Sequence, residues 1–539
     1  MQAFDLLGAL PADRSTTVLE ASAGTGKTFA LAGLVTRYVA EGRATLDEML
    51  LITFGRAASQ ELRERVRCQI VDALNAFDDR SLVGDNQLVA CVINDASERD
   101  ARRQRLRDAL AGFDAATIAT THQFCQLVLK SLGVAGDTDA GVTLVEDLDE
   151  LVTEIVDDLY LATFGRERDD PALSYRDALR IARAVVANPS TQLRPRDPQP
   201  GSQAAVCVGF ANDVLTELET RKRRRGVLGY DDLLSRLADA LESDDSPARA
   251  RMHQRWPIVM VDEFQDTDPV QWQVIDRAFS GRSTLILIGD PKQAIYAFRG
   301  GDIVTYLRAA ETAGEKRTLA TNWRSDSALV ERLQAVLRGA ELGDPAIVVR
   351  DVDAHHQGHR LAGAPHNDPF RLRVVRRATL GRSGTQNLPI DEIRDHIGQD
   401  LAADVGGLLA AGATFDGRPL QARDIAVIVE KHKDARACHR ALTDAGIHAV
   451  YTGDSDVFSS EAAEDWLALL EAFDQPHRPG VVRAAAATMF FGETAKGLAA
   501  GGDTLTDRVA ETLREWAGYA RERGVAAIFE AAALSGMTD

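Results

Sequence analysis

The alternation of short apolar segments with helical segments constrains the fold of this chain more than any other feature of its sequence. Five apolar segments have the length of buried strands, and they lie at residues 17–21, 49–54, 117–120, 258–261 and 284–288. Helical patterns separate them, which predicts an α/β fold with a parallel sheet. Because ligands of such sheets bind at the carboxyl ends of the strands, the residues that follow these segments are the first candidates for a functional site.

The composition is that of a globular chain, with 45 % hydrophobic and 27 % charged residues, and it excludes a disordered chain or a coiled-coil rod. At roughly 150 residues per domain, 539 residues predict three or four domains. The net charge of −19 argues against a broadly basic surface but permits a local basic groove. The five cysteines are scattered and form no CxxC pair, and the sequence shows no signal sequence and no apolar stretch of about 18 residues or more. These features predict a cytoplasmic protein.

The residues between the first strand and the first helix match the phosphate-binding P-loop pattern, with alanine in place of the first glycine. They are Ala21, Ser22, Ala23, Gly24, Thr25, Gly26, Lys27 and Thr28. In such a loop, Lys27 would reach the β- and γ-phosphates and the Thr28 hydroxyl would ligate Mg²⁺. The alternative is a glycine-rich turn without a ligand, but a strand before and a helix after favour the P-loop.

Two acidic residues, Asp262 and Glu263, follow the apolar strand at 258–261. One carboxylate of such a pair can hold Mg²⁺ while its neighbour polarises an attacking water. Acidic residues also end strands without any catalytic role. The P-loop upstream favours the catalytic interpretation.

A third polar segment, residues 289–300, follows the strand at 284–288. Gln293 lies where it could sense a γ-phosphate. Tyr296 and Phe298 alternate beside Arg299, and aromatic faces with a nearby guanidinium can form a stacking platform for single-stranded bases. From the residues alone, packing of these aromatic side chains in a core is an equally good interpretation.

Taken in order, these segments resemble the motifs of the superfamily-1 DNA helicases of the UvrD type, and in particular those of the RecB branch. The resemblance covers essentially the whole chain. It rests on residues 21–28, 53–58, 121–125, 261–268, 289–300 and 321–325, and on the predicted strands at 424–429 and 449–451.

The resemblance implies a role for each matching residue. Asp262 and Thr28 would hold Mg²⁺, Glu263 would be the catalytic base, and Gln293 would couple the γ-phosphate to the grip on DNA. Trp323 would stack near the adenine of ATP, and Arg324 would reach the γ-phosphate as an arginine finger. The residues implied to contact DNA are Phe54, Thr121, His122, Tyr296, Phe298 and Arg299.

The family also implies an activity and partners. We expect an ATP- and Mg²⁺-dependent 3′→5′ DNA helicase or translocase subunit of a RecBCD-type enzyme for double-strand-break repair and recombination. Its partners would be DNA, as single strands and duplex ends, and RecC-like and RecD-like subunits. The family's fifth and sixth motifs and a nuclease signature are not found in these 539 residues. We therefore expect an N-terminal half without the nuclease domain; the alternative is an ATP-binding, motor-inactive fragment that binds DNA or a partner.

The implied fold is a P-loop NTPase of the α/β class, with two RecA-like parallel-sheet lobes, helical insertions and an incomplete second lobe. The first lobe would comprise residues 1–135, with a helical insertion around 60–115, and residues 226–315. A helical accessory insertion would occupy 136–225. The partial second lobe would span 316–455, and 456–539 would begin its helical accessory domain.

Two charged or titratable clusters have ordinary interpretations. The five cations at 221–225 are predicted to be a solvated helix end rather than a contact to duplex phosphates. His355, His356, His359 and His366 lie among Gly, Pro and Asp residues. Because metal sites need ordered spacing on a rigid element, this cluster predicts a polar surface loop.

Overall fold

The computed structural model describes residues 1–84, 86–94, 97–132, 143–145, 147–165, 171–188, 192–297, 301–385, 387–452 and 457–535. The chain divides into two compact units. Unit 1 comprises Met1–Arg360 and Asp368–Leu372, and unit 2 comprises Leu361–Asn367 and Arg373–Asp539.

The strands of unit 1 confirm the predicted parallel sheet. They are β1 (Gln2–Ala3), β2 (Thr16–Ala21), β3 (Met49–Thr53), β4 (Thr117–Thr120), β5 (Thr143–Leu144), β6 (Val227–Leu228), β7 (Ile258–Val261), β8 (Thr284–Gly289), β9 (Glu315–Leu319), β10 (Thr321–Asp326) and β11 (Asp353–His356). Seven of them form one sheet in the order β1-β9-β2-β8-β7-β3-β4, and every pair in it is parallel. The carboxyl ends of all seven therefore share one edge.

Helices cover both faces of this sheet. Unit 1 contains α1 (Lys27–Ala40), α2 (Arg56–Asp78), α3 (Gln87–Ile93), α4 (Arg99–Ala111), α5 (Thr121–Leu132), α6 (Asp149–Phe164), α7 (Tyr175–Val186), α8 (Gln203–Arg225), α9 (Tyr230–Ala240), α10 (Pro247–Arg255), α11 (Pro269–Phe279), α12 (Ile303–Thr312) and α13 (Ser327–Leu337). Successive side chains of a strand point to opposite faces, so Ile258 and Met260 pack with α1–α4, whereas Val259 and Val261 pack with α5 and α9–α12. Burial on both faces is why these strands are continuous apolar runs.

The structure differs from the predicted boundary near residue 316. Strand β9 pairs with β2 in the first sheet, with Leu19 opposite Arg317, and unit 1 continues to Arg360. Local sequence does not reveal this arrangement, because β9 is only partly buried and its partner lies about three hundred residues earlier in the chain.

The cations at 221–225 end helix α8 as predicted, but the prediction that they are solvated is wrong for Arg221 and Lys222, whose side chains are 13 % and 7 % exposed. Three of them are engaged within unit 1. Arg221 contacts Glu154, Asp158 and Glu217, Lys222 is buried against Glu219 and Asp232, and Arg225 pairs with Glu154. Cations near a helix carboxyl terminus also interact favourably with its dipole. The run therefore has a structural role in joining α8 to α6 and α9.

Unit 2 contains a small antiparallel sheet and six helices in its described part. Its elements are β12 (Leu361–Ala362), β13 (Thr414–Phe415), β14 (Arg418–Pro419), α14 (Ile390–Ala410), α15 (His432–Asp444), α16 (Glu461–Asp474), α17 (Pro479–Ala486), α18 (Ala495–Arg523) and α19 (Ala526–Ser535). Helices α16–α19 share one apolar core and confirm the helical pattern predicted beyond residue 457. Among the described helices, none combines the length and apolar character needed to cross a membrane.

The strands predicted at 424–429 and 449–451 are wrong for this structure, and the alternating apolar segment at 370–375 is likewise not assigned to a strand. Leu372 is 80 % exposed and Ile428 is 93 % exposed. An alternating apolar pattern predicts a strand only if another strand is available to accept its backbone hydrogen bonds. No described strand pairs with these three segments.

Candidate functional site

The P-loop segment connects β2 to α1 at the carboxyl edge of the sheet. Gly24 and Gly26 have φ values of +79° and +84°, a region that glycine adopts without steric cost. The Thr25 hydroxyl donates a hydrogen bond to the Ser22 carbonyl oxygen over 2.7 Å, and Gly26 forms the amino-terminal cap of α1. The loop thus leads into a helix amino terminus, where unpaired backbone N–H groups can bind an anion.

Lys27 and Glu263 are in direct contact although 236 residues separate them in the sequence. The Lys27 Nζ lies 2.6 Å from the Glu263 Oε2, and the lysine side chain is only 12 % exposed. The contact arises because β2, β8 and β7 are neighbours in the sheet, which brings the residues after β2 and β7 to one edge. A phosphate bound in the loop could replace the carboxylate as the partner of the ammonium group.

Glu263 is held in a specific orientation. Its φ of +49° is uncommon for a residue with a side chain, and such conformations cluster at functional sites. The Gln265 Nε2 donates a hydrogen bond of 2.8 Å to the Glu263 Oε2, and the Gln265 Oε1 accepts one of 2.9 Å from the Asp290 backbone N–H. Gln265 therefore connects the carboxylate to the end of β8.

Two carboxyl groups near Glu263, the partly buried Asp262 and the buried Asp266, carry unfavourable negative charge. Burial, together with the negative charge of Glu263, raises the pKa of Asp262 to about 6. The same two causes raise the pKa of Asp266 to about 6, and the buried Asp266 Oδ1 has no hydrogen-bond partner in the described part of the chain. A cation would relieve this charge, and the donor set of carboxylate and hydroxyl oxygens, Asp262 and Thr28, has the chemistry that Mg²⁺ prefers.

The described residues contain no group of three or more His, Cys, Asp or Glu side chains that could hold a metal ion. A metal ion at Asp262 would thus need ligands from elsewhere, such as phosphate oxygens. This matches the way in which Mg²⁺ is commonly held, by one or two carboxylates and a substrate phosphate.

Strand β10 packs directly on the P-loop segment. The Asn322 Nδ2 donates to the Ala23 carbonyl oxygen over 3.0 Å, and the Trp323 backbone N–H donates to the Gly24 carbonyl oxygen over 2.8 Å. A Cβ atom added to Gly24 would lie 2.9 Å from the Arg324 Cβ. The structure thus brings Trp323 and Arg324 next to the P-loop segment. Arg324 is exposed, and its guanidinium has no hydrogen bond or ion pair with the described residues.

The prediction of a polar surface loop is wrong for two of the four histidines. His355 and His356 belong to strand β11, which pairs with β10. The His355 ring is stacked on Trp323 with ring centroids 4.0 Å apart, and the His356 Nε2 lies 3.1 Å from the Trp323 carbonyl oxygen. The composition of the segment favoured a loop, whereas pairing with β10, which lies earlier in the chain, made it a strand.

A buried charge network at the ends of β2 and β8 was missed by the sequence analysis. The Lys292 Nζ lies 2.6 Å from the Asp290 Oδ1 and 3.5 Å from the Glu20 Oε1. The Gln293 Nε2 donates to the Asp290 Oδ2 over 2.8 Å. A signal was available, because Glu20 stands in an otherwise apolar strand and charged residues are rarely buried unless paired. The network connects the strand before the P-loop with the segment that carries Gln293 and Tyr296.

The predicted DNA-contacting residues lie along the same edge where they are described. Phe54, after β3, and Tyr296, after β8, have ring centroids 4.9 Å apart, and both are partly buried. Thr121 and His122 begin α5 directly after β4. Burial lowers the pKa of His122, against the opposing effect of Asp231 and Asp268. Phe298 and Arg299 lie outside the described residues.

Comparisons with known proteins identify the family of the chain. Residues 6–314 match the family model of the UvrD/REP helicase N-terminal domain. RecBCD enzyme subunit RecB of Mycolicibacterium smegmatis is 77 % identical over all of this chain and 49 % of its own length. RecB of Mycobacterium tuberculosis strain H37Rv is 67 % identical over the same shares, and RecB of Escherichia coli is 27 % identical over 88 % of this chain and 51 % of its own length. The chain spans about half the length of these relatives. With more than half of its residues matched by the family model and its whole length similar to RecB subunits, the chain belongs to the UvrD/REP helicase family.

Proposed function

We propose that this chain is the ATP-driven motor part of a RecBCD-type DNA-processing enzyme, a helicase or translocase that moves 3′→5′ along a single strand of DNA. The observation that carries the proposal is the contact of 2.6 Å between the Lys27 Nζ and the Glu263 Oε2 at the end of the P-loop. A lysine that binds phosphate and a carboxylate that activates water must both lie next to the phosphate that is transferred, and the contact places the two side chains together. The names of the RecB relatives support DNA as the substrate and RecC-like and RecD-like subunits as partners.

Binding of ATP would change the partner of Lys27. The ammonium group would leave Glu263 and bind the β- and γ-phosphates, while the backbone of the P-loop segment surrounds them. Thr28 and Asp262 would hold the accompanying Mg²⁺, which supplies charge neutralisation at the phosphates. Glu263, released from Lys27 and still oriented by Gln265, could then accept a proton from the attacking water.

Arg324 would stabilise charge on the γ-phosphate. It lies on a strand that is hydrogen-bonded to the P-loop through Asn322 and Trp323, and its guanidinium is exposed. An arginine in this role can contribute roughly 10³–10⁵ in rate. The position of Arg324 on the docked strand supports this role.

The aromatic pair of Phe54 and Tyr296 would provide the single-strand contact. Bases stack on aromatic faces with little regard to their identity, and this pair lies on the same edge of the sheet as Lys27 and Glu263. The network of Glu20, Asp290 and Lys292 lies between the P-loop and Tyr296. It supports the role of Gln293, next to Lys292, in coupling the γ-phosphate to the grip on DNA.

Substitutions at Lys27 and Glu263 test the proposal. We expect Lys27→Ala to weaken ATP binding by about 1.5–3 kcal/mol, since it removes a charge-assisted contact to phosphate. We expect Glu263→Gln to retain ATP binding but to lose hydrolysis. Isothermal titration with ATP and a phosphate-release assay with and without single-stranded DNA measure both effects, and Lys316→Ala, an exposed lysine of β9, is the matched control.

Unchanged ATP affinity in Lys27→Ala would refute the nucleotide site, and unchanged turnover in Glu263→Gln would refute the catalytic base. If the wild-type chain bound ATP but its turnover did not respond to DNA, the result would favour the alternative of an ATP-binding, motor-inactive module.

A further inference from the structure

We propose that His355 and His356 are positioning residues that hold the Trp323 indole as the surface on which the base of the nucleotide stacks. The proposal rests on the proposed ATP site and adds two residues that no motif of the sequence analysis contains. Both residues lie on β11, beside the strand that carries Trp323.

The backbone of Trp323 is fixed on both sides. Its N–H donates to the Gly24 carbonyl oxygen over 2.8 Å, and its carbonyl oxygen lies 3.1 Å from the His356 Nε2. With Nε2 protonated, the imidazole donates this hydrogen bond. The peptide groups of Trp323 are thereby tied to the P-loop on one side and to β11 on the other.

The ring of Trp323 is supported on one face and accessible elsewhere. The His355 ring is stacked on the indole, with a centroid distance of 4.0 Å and an interplanar angle of 29°. Nevertheless, 54 % of Trp323 is exposed. A large aromatic side chain that is held in place yet left exposed is typical of a binding surface, because aromatic side chains supply contact area at interfaces.

The position of the Trp323 indole indicates which part of a ligand it would contact. The Trp323 Cδ1 lies 3.7 Å from the place that a Cβ atom on Gly26 would occupy, so the indole borders the loop that would surround the phosphates. A nucleotide whose phosphates lie in this loop would have its base within reach of the indole. Since His355 covers one face, the base would stack on the other. The stack adds no polar contact to the base edge, so it would bind purine bases without selecting among them.

A comparison of ATP with tripolyphosphate, which has the phosphates but no base, isolates this contact. We expect His355→Ala to raise the dissociation constant for ATP by roughly 2- to 12-fold, the range that corresponds to aromatic pair energies, and to leave that for tripolyphosphate unchanged. His355→Phe should restore ATP affinity, because it restores a ring on the indole. His356→Ala should also weaken ATP binding selectively, and His356→Gln, which retains a donor, should recover part of it.

A matched control and a double substitution complete the experiment. His359→Ala removes an exposed histidine of the same segment and should bind both ligands like the wild-type chain. In a Trp323→Ala background, His355→Ala should cause no further loss of ATP affinity, because a positioning residue has no effect once its target is absent.

Three results would overturn the inference: an unchanged ATP affinity in His355→Ala, equal losses for ATP and tripolyphosphate, or additive losses in the double substitution. If tripolyphosphate bound to the wild-type chain and bound more weakly to Lys27→Ala, the proposed phosphate site would stand even if the base contact failed. A wild-type chain that bound neither ligand would refute the proposed function and this inference together.

Discussion

Replacing Gly24 by alanine tests whether the docking of β10 on the P-loop stabilises the fold. Gly24 has a φ of +79°, and an added Cβ would lie 2.9 Å from the Arg324 Cβ and 3.0 Å from the side-chain amide of Asn322. Contacts of this length cannot be accommodated unless something moves. The substitution therefore has two separable costs, one in the backbone conformation and one in the packing.

Both costs can be estimated. The left-handed conformation costs an L-residue about 1–2 kcal/mol, and inserting a methyl group into a packed contact typically costs about 1–3 kcal/mol. We therefore expect Gly24→Ala to lower the free energy of unfolding by about 2–5 kcal/mol. ATP affinity should fall as well, because moving Asn322 away breaks its hydrogen bond to the Ala23 carbonyl oxygen.

Gly281→Ala is a matched control. Gly281 has a φ of +71°, and an added Cβ would meet nothing within 4 Å. The free energy of unfolding of Gly281→Ala should fall only by the cost of the backbone conformation, about 1–2 kcal/mol. Urea unfolding followed by tryptophan fluorescence measures both variants, with the midpoints compared at equal slope. Equal losses in the two variants would show that β10 does not pack closely enough on Gly24 to exclude a methyl group, and the reasoning would be refuted.

Three further predictions concern single side chains. Burial raises the pKa of Asp268, so its charge costs stability at pH values above that raised pKa. Asp268→Asn, which can still cap α11, should therefore unfold at a higher urea concentration than wild type at pH 8. The difference should shrink as the pH falls toward 3.8. A difference that is the same at pH 8 and pH 3.8 would contradict this assignment. Tyr296→Ala should weaken single-strand binding by roughly 1–3 kcal/mol with little dependence on base identity, and fluorescence anisotropy with unlike homopolymers would reveal any base preference. Lys292→Met leaves the buried Asp290 without its cation, while Glu20 keeps Arg350 at 3.6 Å, and it should destabilise the chain by about 3–5 kcal/mol. Lys292→Arg, which keeps the charge, should lose much less; similar urea midpoints for the two variants would argue against the network.

The sequence alone determined the elements that are buried on both faces of the sheet. The strand predicted at 117–120 has those bounds in the structure, and the helix predicted to follow the first strand and its P-loop begins at Lys27. Such strands are continuous apolar runs because helices cover them on both sides, and the P-loop follows its strand directly in the chain. The local sequence pattern is sufficient to predict these elements, because the features that produce them lie close together in the sequence.

The tertiary structure decided everything that depends on which strands are neighbours. Lys27 meets Glu263, and Lys292 meets Glu20, only because the order of the sheet is β2-β8-β7. The apolar run around Ile428 predicted a strand, but no described strand offers it hydrogen bonds. His355 is placed on Trp323 because β11 pairs with β10. Hydrogen-bond pairing between distant segments is not encoded in the pattern of either segment alone, so these contacts could not be read from the sequence.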